Sequence, residues 1–266
     1  MPSISQQTGP VHLRAILACC FLLPLLCKAD QQTPGLAAVT NVRETIELIR
    51  ANGKTTRPEL HEIMPLSGSS IRSGAEANLV LSLSNGIGLA LDENTSLTFG
   101  SYTQTPFSER QEGLQFEPSV SKLQLQLEEG LIAIAFEHLS PLSNAEVSLP
   151  MGTLKLHAGK ILVSVASDGT CTISVLSGTA TLNYANSRER EFISAGQSAI
   201  VKDTVAQRSD LSSTPTDRLL LADAADYSRK RVLFRSQDAS EGPAAIWVAP
   251  PDQLEKPPER PYSFEL

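Results

Sequence analysis

The feature that most constrains the fold is an alternation of apolar and polar residues between Ile71 and Phe99, in the stretch IRSGAEANLVLSLSNGIGLALDENTSLTF. Successive residues of a β-strand point to opposite faces of a sheet, so a period of two predicts strands with one buried face. The stretch contains no His, Cys, Tyr or Trp. We therefore expect it to supply shape and contact surface.

Short alternating runs of the same kind continue from residue 37 to residue 202, separated by turn residues. This pattern is typical of an all-β antiparallel sandwich or roll built from many short strands. Two dipeptides, Asn85-Gly86 and Asp168-Gly169, join such runs and accept the positive φ angles of a two-residue hairpin turn. After Glu129-Gly130, the run LIAIAF is predicted to turn back beside KLQLQL in antiparallel pairing.

The composition of the 266-residue chain limits its partners. Apolar residues make up 41% and aromatic residues 5%, so one sizeable domain can form a core that is mainly aliphatic. The formal net charge of −7 opposes general electrostatic attraction to nucleic acid or to an anionic membrane surface. We expect the partner to be a protein or an envelope component, and not nucleic acid.

Residues 1–29 have the pattern of an export signal. His12 and Arg14 give a weakly basic start, and Ala15 to Cys27, AILACCFLLPLLC, supply an apolar run that is too short to span a bilayer. The small residue Ala29 predicts cleavage directly after it. The mature chain would then have no transmembrane span and would be periplasmic, on the cell surface or extracellular.

Export determines which cysteines remain in the mature chain. Lipid modification of Cys19 or Cys20 is the alternative to a soluble product. If the signal is removed, only Cys171 remains, and an intramolecular disulfide is excluded. In TCTISVL this cysteine shares a strand face with Ile173 and Val175, which favours a small buried apolar residue over a reactive thiol.

Several segments, taken in order, resemble a FecR-type domain over Ala37 to Lys202. LSGSSIRSGAEANLVLSLSNGIGLALDENTSLTF resembles its opening, where I-x-[ST]-G precedes an alternating strand, a turn with Gly and a second strand. The next matches are LQLQLEEGLIAIAF and VSLPMGTLKLHAGKILVSV. The last two segments, ISVLSGTATLNY and FISAGQSAIV, resemble the closing motifs V-x-V-x-x-G-x-V and L-x-x-G-Q. The resemblance implies a FecR-like β-domain over residues 37–202.

The sequence also departs from that family. The family's transmembrane regulators place a helical sigma-factor-binding segment before a membrane span and a further signalling domain after the β-domain, and neither pattern is found here. Gly159 is followed by Lys160, where family members often have Thr. We therefore do not carry over the role in transcription, and the family supplies no catalytic residues.

Enzyme motifs find little support. The three histidines after the signal, His61, His138 and His157, are not spaced as metal ligands. Glu128-Glu129 could act in glycoside hydrolysis only across a suitable cleft, and LSGSSIRSG lacks the G-x-S-x-G spacing of hydrolases. We expect a protein that is not an enzyme, with no catalytic, cofactor or metal site.

Three alternatives remain open at this stage. A polysaccharide-binding protein or a cupin-like polysaccharide-modifying protein would also be exported and rich in β-structure. One Trp and four Tyr offer few aromatic rings for stacking on sugars. A periplasmic signalling adaptor is the third.

Residues 203–238 are predicted to form a linker and a short helix that starts at Thr214 and Pro215. Leu219, Leu220, Ala224 and Tyr227 can share one helix face. Six prolines in residues 239–266 favour an extended, poorly ordered tail.

Five residues near the end of the helix and in the tail are weak candidates for partner contact. The cations suit the negative end of a helix dipole and a solvated surface, while the single Trp either packs on the domain or serves as a docking residue. The candidates are Arg229, Lys230, Arg231, Arg235 and Trp247. The prediction is an exported, non-catalytic interaction or scaffold module of the bacterial cell envelope or exterior.

Overall fold

The structure of the protein, a computed structural model, describes residues 32–107, 117–185, 187–202, 205–211, 214–237 and 245–248. The predicted export signal lies outside the described residues, as does most of the predicted tail. The described residues are mainly β-strands with one helix, which confirms the all-β fold class with a short helix.

The described residues form eighteen strands and one helix. In chain order these are β1 (Thr33–Pro34), β2 (Leu36–Arg43), β3 (Ile46–Ile49), β4 (Thr55–Thr56), β5 (Ile63–Pro65), β6 (Ser70–Ser73), β7 (Asn78–Leu83), β8 (Gly88–Leu91), β9 (Ser96–Gln104), β10 (Ser121–Phe136), β11 (Asn144–Leu149), β12 (Gly152–Val165), β13 (Cys171–Tyr184), β14 (Arg190–Ser194), β15 (Gln197–Lys202), β16 (Val205–Asp210), α1 (Thr216–Arg229), β17 (Phe234–Gln237) and β18 (Ala245–Val248).

Sixteen of these strands belong to one continuous sheet that folds over on itself. The first layer has the strand order β16-β15-β13-β12-β10-β8-β7-β2-β5, and the second has the order β14-β13-β12-β11-β10-β9-β6-β3-β4. The pairs are antiparallel except for the parallel pair β10 and β11. One apolar cluster with members from both layers forms the core between them.

Three long strands, β10, β12 and β13, contribute to both layers, and two facing glycines mark where β12 and β13 cross. Gly159 and Gly178 are partners in register, with φ angles of 110° and 77°. A Cβ on Gly159 would lie 1.8 Å from the carbonyl oxygen of Ser177, and one on Gly178 would lie 1.9 Å from that of Ala158. Only a residue without a side chain permits this bend.

The prediction that LIAIAF turns back after Gly130 is wrong. Strand β10 runs without reversal from Ser121 to Phe136, and Gly130 has a φ of 99° within it. Glycine tolerates this backbone conformation, so the strand bends at that point and continues from the second layer into the first.

Both predicted hairpins exist, β7 with β8 and β12 with β13, but their turns are longer than two residues. Gly86 and Gly169 have φ angles of 82° and 79°, while the residues before them have no positive φ. In the first hairpin, the N–H of Leu83 donates to the carbonyl of Ile87 at 2.8 Å across three loop residues. This geometry is a type I turn followed by a glycine bulge, which needs only one left-handed residue.

Helix α1 lies on the outer face of the first layer, over β7, β8 and β10. Pro215 is its N-cap and Thr216 its first residue, so the helix begins one residue later than the predicted start at Thr214 and Pro215. Its inner face is small: Ala222 and Ala225 pack against alanines of β8 and β10. A Cβ on Gly88 would lie 1.8 Å from the carbonyl oxygen of Ala225, which shows how closely the helix backbone approaches the sheet.

The first testable prediction concerns the bend. Gly159→Ala should lower the unfolding free energy by about 3 kcal/mol or more, because the new Cβ adds overlap with a backbone oxygen to the cost of a positive φ. Gly169→Ala is the matched control: its φ is also positive, but the added Cβ meets open space, so we expect only about 1–2 kcal/mol. Urea unfolding measures both. Equal losses would show that the bend does not depend on the missing side chain.

A second prediction concerns the contact between helix and sheet. Gly88→Ala should cost about 2–3 kcal/mol, since the helix must move away to admit the methyl group. Gly100→Ala, also within a strand, should be close to neutral because its nearest neighbours would lie at 3.7 Å and 3.9 Å. Urea unfolding with limited proteolysis of the C-terminal region would compare the two variants. A neutral Gly88→Ala variant would contradict the close approach of α1.

Candidate functional site

Strands β17 and β18 form a two-stranded antiparallel ribbon. The inner side of this ribbon is apolar: Phe234, Ile246 and Val248 pack with Ala38 and Phe107. The structure therefore differs from the predicted poorly ordered tail at residues 245–248. The alternating sequence AIWV is the signal for this strand, and the prolines around it obscured that signal.

A serine hydroxyl also holds the ribbon in place. The hydroxyl of Ser236 accepts a hydrogen bond from the N–H of Phe107 and lies 2.6 Å from the carbonyl oxygen of the same residue. Ser236 and Phe107 are both buried. The ribbon is thus attached to the β-domain by polar as well as apolar contacts.

Two of the five candidate contact residues come together on the outer side of the ribbon. Arg235 and Trp247 are directly opposite each other in register. Trp247 is 37% exposed, while its neighbours Ile246 and Val248 supply the packing. The structure places Trp247 at the surface of the ribbon.

The candidate cations at the end of the helix do not form one solvated surface. The side chain of Arg229 is only 2% exposed, and it contacts Asp226 at 2.8 Å and Glu137 at 2.9 Å. Lys230 contacts Asp226 at 2.8 Å. Arg229 therefore fastens the end of α1 to the end of β10, and the prediction of a solvated role is wrong for this residue because a buried arginine needs paired carboxylates.

Asp226 is the centre of this charge cluster. Burial raises its pKa, but hydrogen bonds from Lys230 and Arg229 and their charges outweigh burial and hold the pKa below its ordinary value. Lys160 also reaches it, at 3.3 Å, and contacts Asp223 at 2.9 Å. The hydrogen bond to Asp223 raises the pKa of Lys160. Lys160, the residue after Gly159, thus joins the bend of the sheet to the helix.

The outer side of α1 carries large apolar residues. The four residues predicted to share a face lie on one side, but this side is mainly turned outward. Leu220 is 63% exposed and Tyr227 is 61% exposed. The Arg231 guanidinium lies 5.2 Å from the centroid of the Tyr227 ring, within the range of a cation–π contact. We call Leu220, Tyr227 and Arg231 the outward stripe.

The orientation of the helix has a steric cause. Its buried residues include Leu221, Ala222 and Ala225, and the last of these sits directly over Gly88. A tyrosine ring would not fit between the helix backbone and the sheet at that distance. The spacing of apolar residues along α1 showed which residues share a face of the helix, but not which face is buried.

Away from this layer, the half-buried carboxylate of Glu117 supports the start of β10. Glu117 accepts hydrogen bonds from the hydroxyl of Ser121, from the hydroxyl of Ser143 at 2.7 Å and from the N–H of Ser140 at 2.7 Å. Burial raises the pKa of Glu117. Its three acceptor bonds indicate that it serves as a structural anchor.

The residues considered for chemistry lie apart. His61, His138 and His157 are exposed and belong to separate parts of the fold. Cys171 is buried in the core, and burial raises the pKa of its thiol to about 12. Among the described residues, no three His, Cys, Asp or Glu side chains gather so as to hold a metal ion. In the same part of the chain, no helix is long and apolar enough to cross a membrane.

No protein-family model matches the chain, and no curated protein matches it. Two crystal structures, each of a candidate anti-sigma factor from Parabacteroides distasonis ATCC 8503, resemble part of it. The first has a TM-score of 0.40 and 13% identity and covers 53% of this chain, which spans 59% of that protein's length. The second has a TM-score of 0.39 and 12% identity and covers 59% of this chain and 74% of its own. Membership of the FecR-type family stays a prediction.

The third prediction tests the charge cluster. Asp226→Asn should lower the unfolding free energy by about 1–3 kcal/mol at pH 7, because three cations, Lys160, Arg229 and Lys230, lose a charged partner. A carboxyl whose pKa is depressed in the folded state stabilises the fold above its unfolded pKa, near 3.8, and loses this effect as the pH falls through the folded pKa. The stability gap between the native protein and the variant should therefore narrow below about pH 4. A gap that stays constant down to pH 2 would contradict the charge-based role.

Proposed function

We propose that the protein is an exported, non-catalytic interaction module that binds a protein partner through the outward stripe. The observation that carries the proposal is the exposure of Leu220 and Tyr227, at 63% and 61%, on a helix whose opposite face is fully packed. Tyrosine and arginine are enriched among the residues that dominate binding energy at protein interfaces. The partner would offer an apolar pocket for Tyr227 and a carboxylate for Arg231.

The support beneath the stripe favours binding without rearrangement. Arg229, Lys160 and the contact at Gly88 fix α1 at three places along the sheet. A surface that is already ordered loses less conformational entropy when a partner docks. The ribbon that carries Trp247 packs on Ala38 of β2, a strand of the first layer, and its outer side extends the candidate surface.

Other features support the remaining parts of the proposal. The pattern of residues 1–29 supports export, and a role as an envelope signalling adaptor or scaffold agrees with a surface made for contact. The carboxylates of Glu117 and Asp226 are occupied by bonds within the fold, which supports a role outside catalysis. Replacing His61, His138 and His157 together by Gln should accordingly preserve partner capture.

The fourth prediction tests the stripe. The double variant Leu220→Asp with Tyr227→Asp should capture at least about tenfold less of the partner that the native protein retains from an envelope extract, since hot-spot losses exceed about 2 kcal/mol. The matched control is Leu142→Asp with Phe192→Asp, two residues that are 81% and 64% exposed elsewhere on the surface. The measurement is quantitative mass spectrometry of the captured protein, with circular dichroism to confirm folding.

The outcomes separate the proposal from general stickiness. Loss of capture in the stripe variant alone supports the proposed surface. Equal loss in the control variant, or no loss in either, overturns it. N-terminal sequencing of the protein recovered outside the cytoplasm tests export: a start at Asp30 is expected, and an intact Met1 in the membrane fraction contradicts it.

A further inference from the structure

A groove of about 200 Å³ lies on the outer face of the first layer, where α1 begins. Its floor is the sheet surface of β12, β13 and β15, and its wall is formed by Thr214, Pro215 and Arg218. The volume equals that of about seven liquid waters, which is room for one small polar molecule. The groove is separate from the outward stripe, because it lies at the inner edge of the helix start.

The floor of the groove carries hydroxyl groups in register beside the apolar side chains of Leu131, Leu162 and Ile200. Ser174, Ser198 and Ser209 lie side by side across β13, β15 and β16, and Ser164 is paired with Thr172 in the neighbouring row. Neighbouring strands are about 4.8 Å apart, so adjacent hydroxyls can contact adjacent polar groups of one ligand. We call this surface, together with Arg218, the hydroxyl groove.

The buried hydroxyls have more donors than the fold uses. Ser174 and Ser198 are each 6% exposed, and their Oγ atoms are 2.8 Å apart. Two hydroxyls hold two protons, and the bond between them uses one, so one buried O–H remains for the groove. Ser164 and Thr172, which also line the groove, are half-buried, and Ser209 is exposed. Both hydroxyls already have a partner in the fold, so a ligand acceptor would add a bond to the second O–H and would not satisfy an orphaned group.

Arg218 brings a positive charge to the wall of the groove. Arg218 is in the first turn of α1, and the N-cap Pro215 makes no side-chain capping bond, so the first backbone N–H groups of the helix have no side-chain acceptor. Such N–H groups and a guanidinium both favour a carboxylate or phosphate. Two acidic residues are close: burial raises the pKa of Asp92, which also feels the charges of Asp217 and Arg218. These carboxylates favour a ligand with a single negative charge over a dianion.

We propose that the hydroxyl groove binds a hydroxylated carboxylate, such as an acidic monosaccharide. The carboxylate lies on the Arg218 guanidinium and the helix start, and the ligand hydroxyls contact Ser174, Ser198 and Ser209. Specificity comes from paired hydrogen bonds, without an aromatic stacking platform. This inference does not rest on the proposed protein-binding function, because the groove and the outward stripe are different surfaces.

The test is a titration of the full chain with sodium glucuronate, followed by calorimetry and by amide chemical shifts. Saturable binding is expected, with shifts centred on Ser174, Ser198 and Arg218. Glucose, which lacks the carboxylate, and glucose 6-phosphate, a dianion, should each bind at least about tenfold more weakly. Equal or tighter binding of either one overturns the assignment of a singly charged ligand.

Variants locate the site. Arg218→Gln should weaken glucuronate binding at least about tenfold, the usual effect of losing a charge-assisted bond. Ser198→Ala should weaken glucuronate binding less than Arg218→Gln does. Ser198→Val should weaken it more than Ser198→Ala, because the larger side chain also fills part of the groove. Arg190→Gln, which removes an exposed cation on β14, is the matched control and should bind like the native protein. No saturable binding to the native chain, or undiminished binding to Arg218→Gln, overturns the proposal.

Discussion

The two facing glycines, Gly159 and Gly178, set the constraint on which the rest of the structure depends. Their backbones are so close that any side chain at either position would overlap a carbonyl oxygen of the other strand. Because β12 and β13 bend together there, each strand pairs with different neighbours before and after the bend. One chain segment thereby serves both layers of the core. Lys160, the next residue after the bend, then reaches the helix through Asp223 and Asp226.

The helix settles a second competition between apolar burial and close packing. Burying Leu220 and Tyr227 would remove more apolar area from water, and each is worth about 1.5–3 kcal/mol when fully buried. The sheet beneath the helix is lined with Ala and Gly, however, and only a face of small residues can approach it. Many close contacts over the length of the helix replace the two large side chains. The consequence is an exposed leucine and tyrosine on the outer side of the helix.

Much of the fold could be predicted because alternation reports directly on strands. The all-β class and both hairpins follow from it. What periodicity does not report is whether a strand ends or bends at Gly130, since both demand the same residue. It also leaves open which face of α1 is buried. The unbroken apolar run LIAIAF does indicate that another element covers this strand, because a strand that is apolar on both sides must be covered on both sides.

The candidate surfaces were harder to predict, for physical reasons that differ between residues. Arg229 has the composition of a surface cation, and only its carboxylate partners in three dimensions, one of them 92 positions away, make burial possible. Trp247 was identified as notable, but its strand was hidden by flanking prolines. The hydroxyls of the groove come from strands whose register is set by the whole sheet, so no local stretch of sequence shows them together.

The outer face of the first layer is divided between two chemistries, and the helix lies on the boundary. Under the helix the sheet presents Val80, Ala90, Ala133 and Ala135; beyond it the same face presents serines and a threonine. The two most buried of these hydroxyls, Ser174 and Ser198, are each 6% exposed and bond to each other. The two ends of the helix also differ in whether side chains bond to them. Its C-terminal end is closed by Arg229 and Asp226, whereas its N-terminal end has no side-chain cap and faces the hydroxyls. The division therefore places a buried apolar surface and a row of hydroxyl groups side by side on one layer, with Arg218 between them.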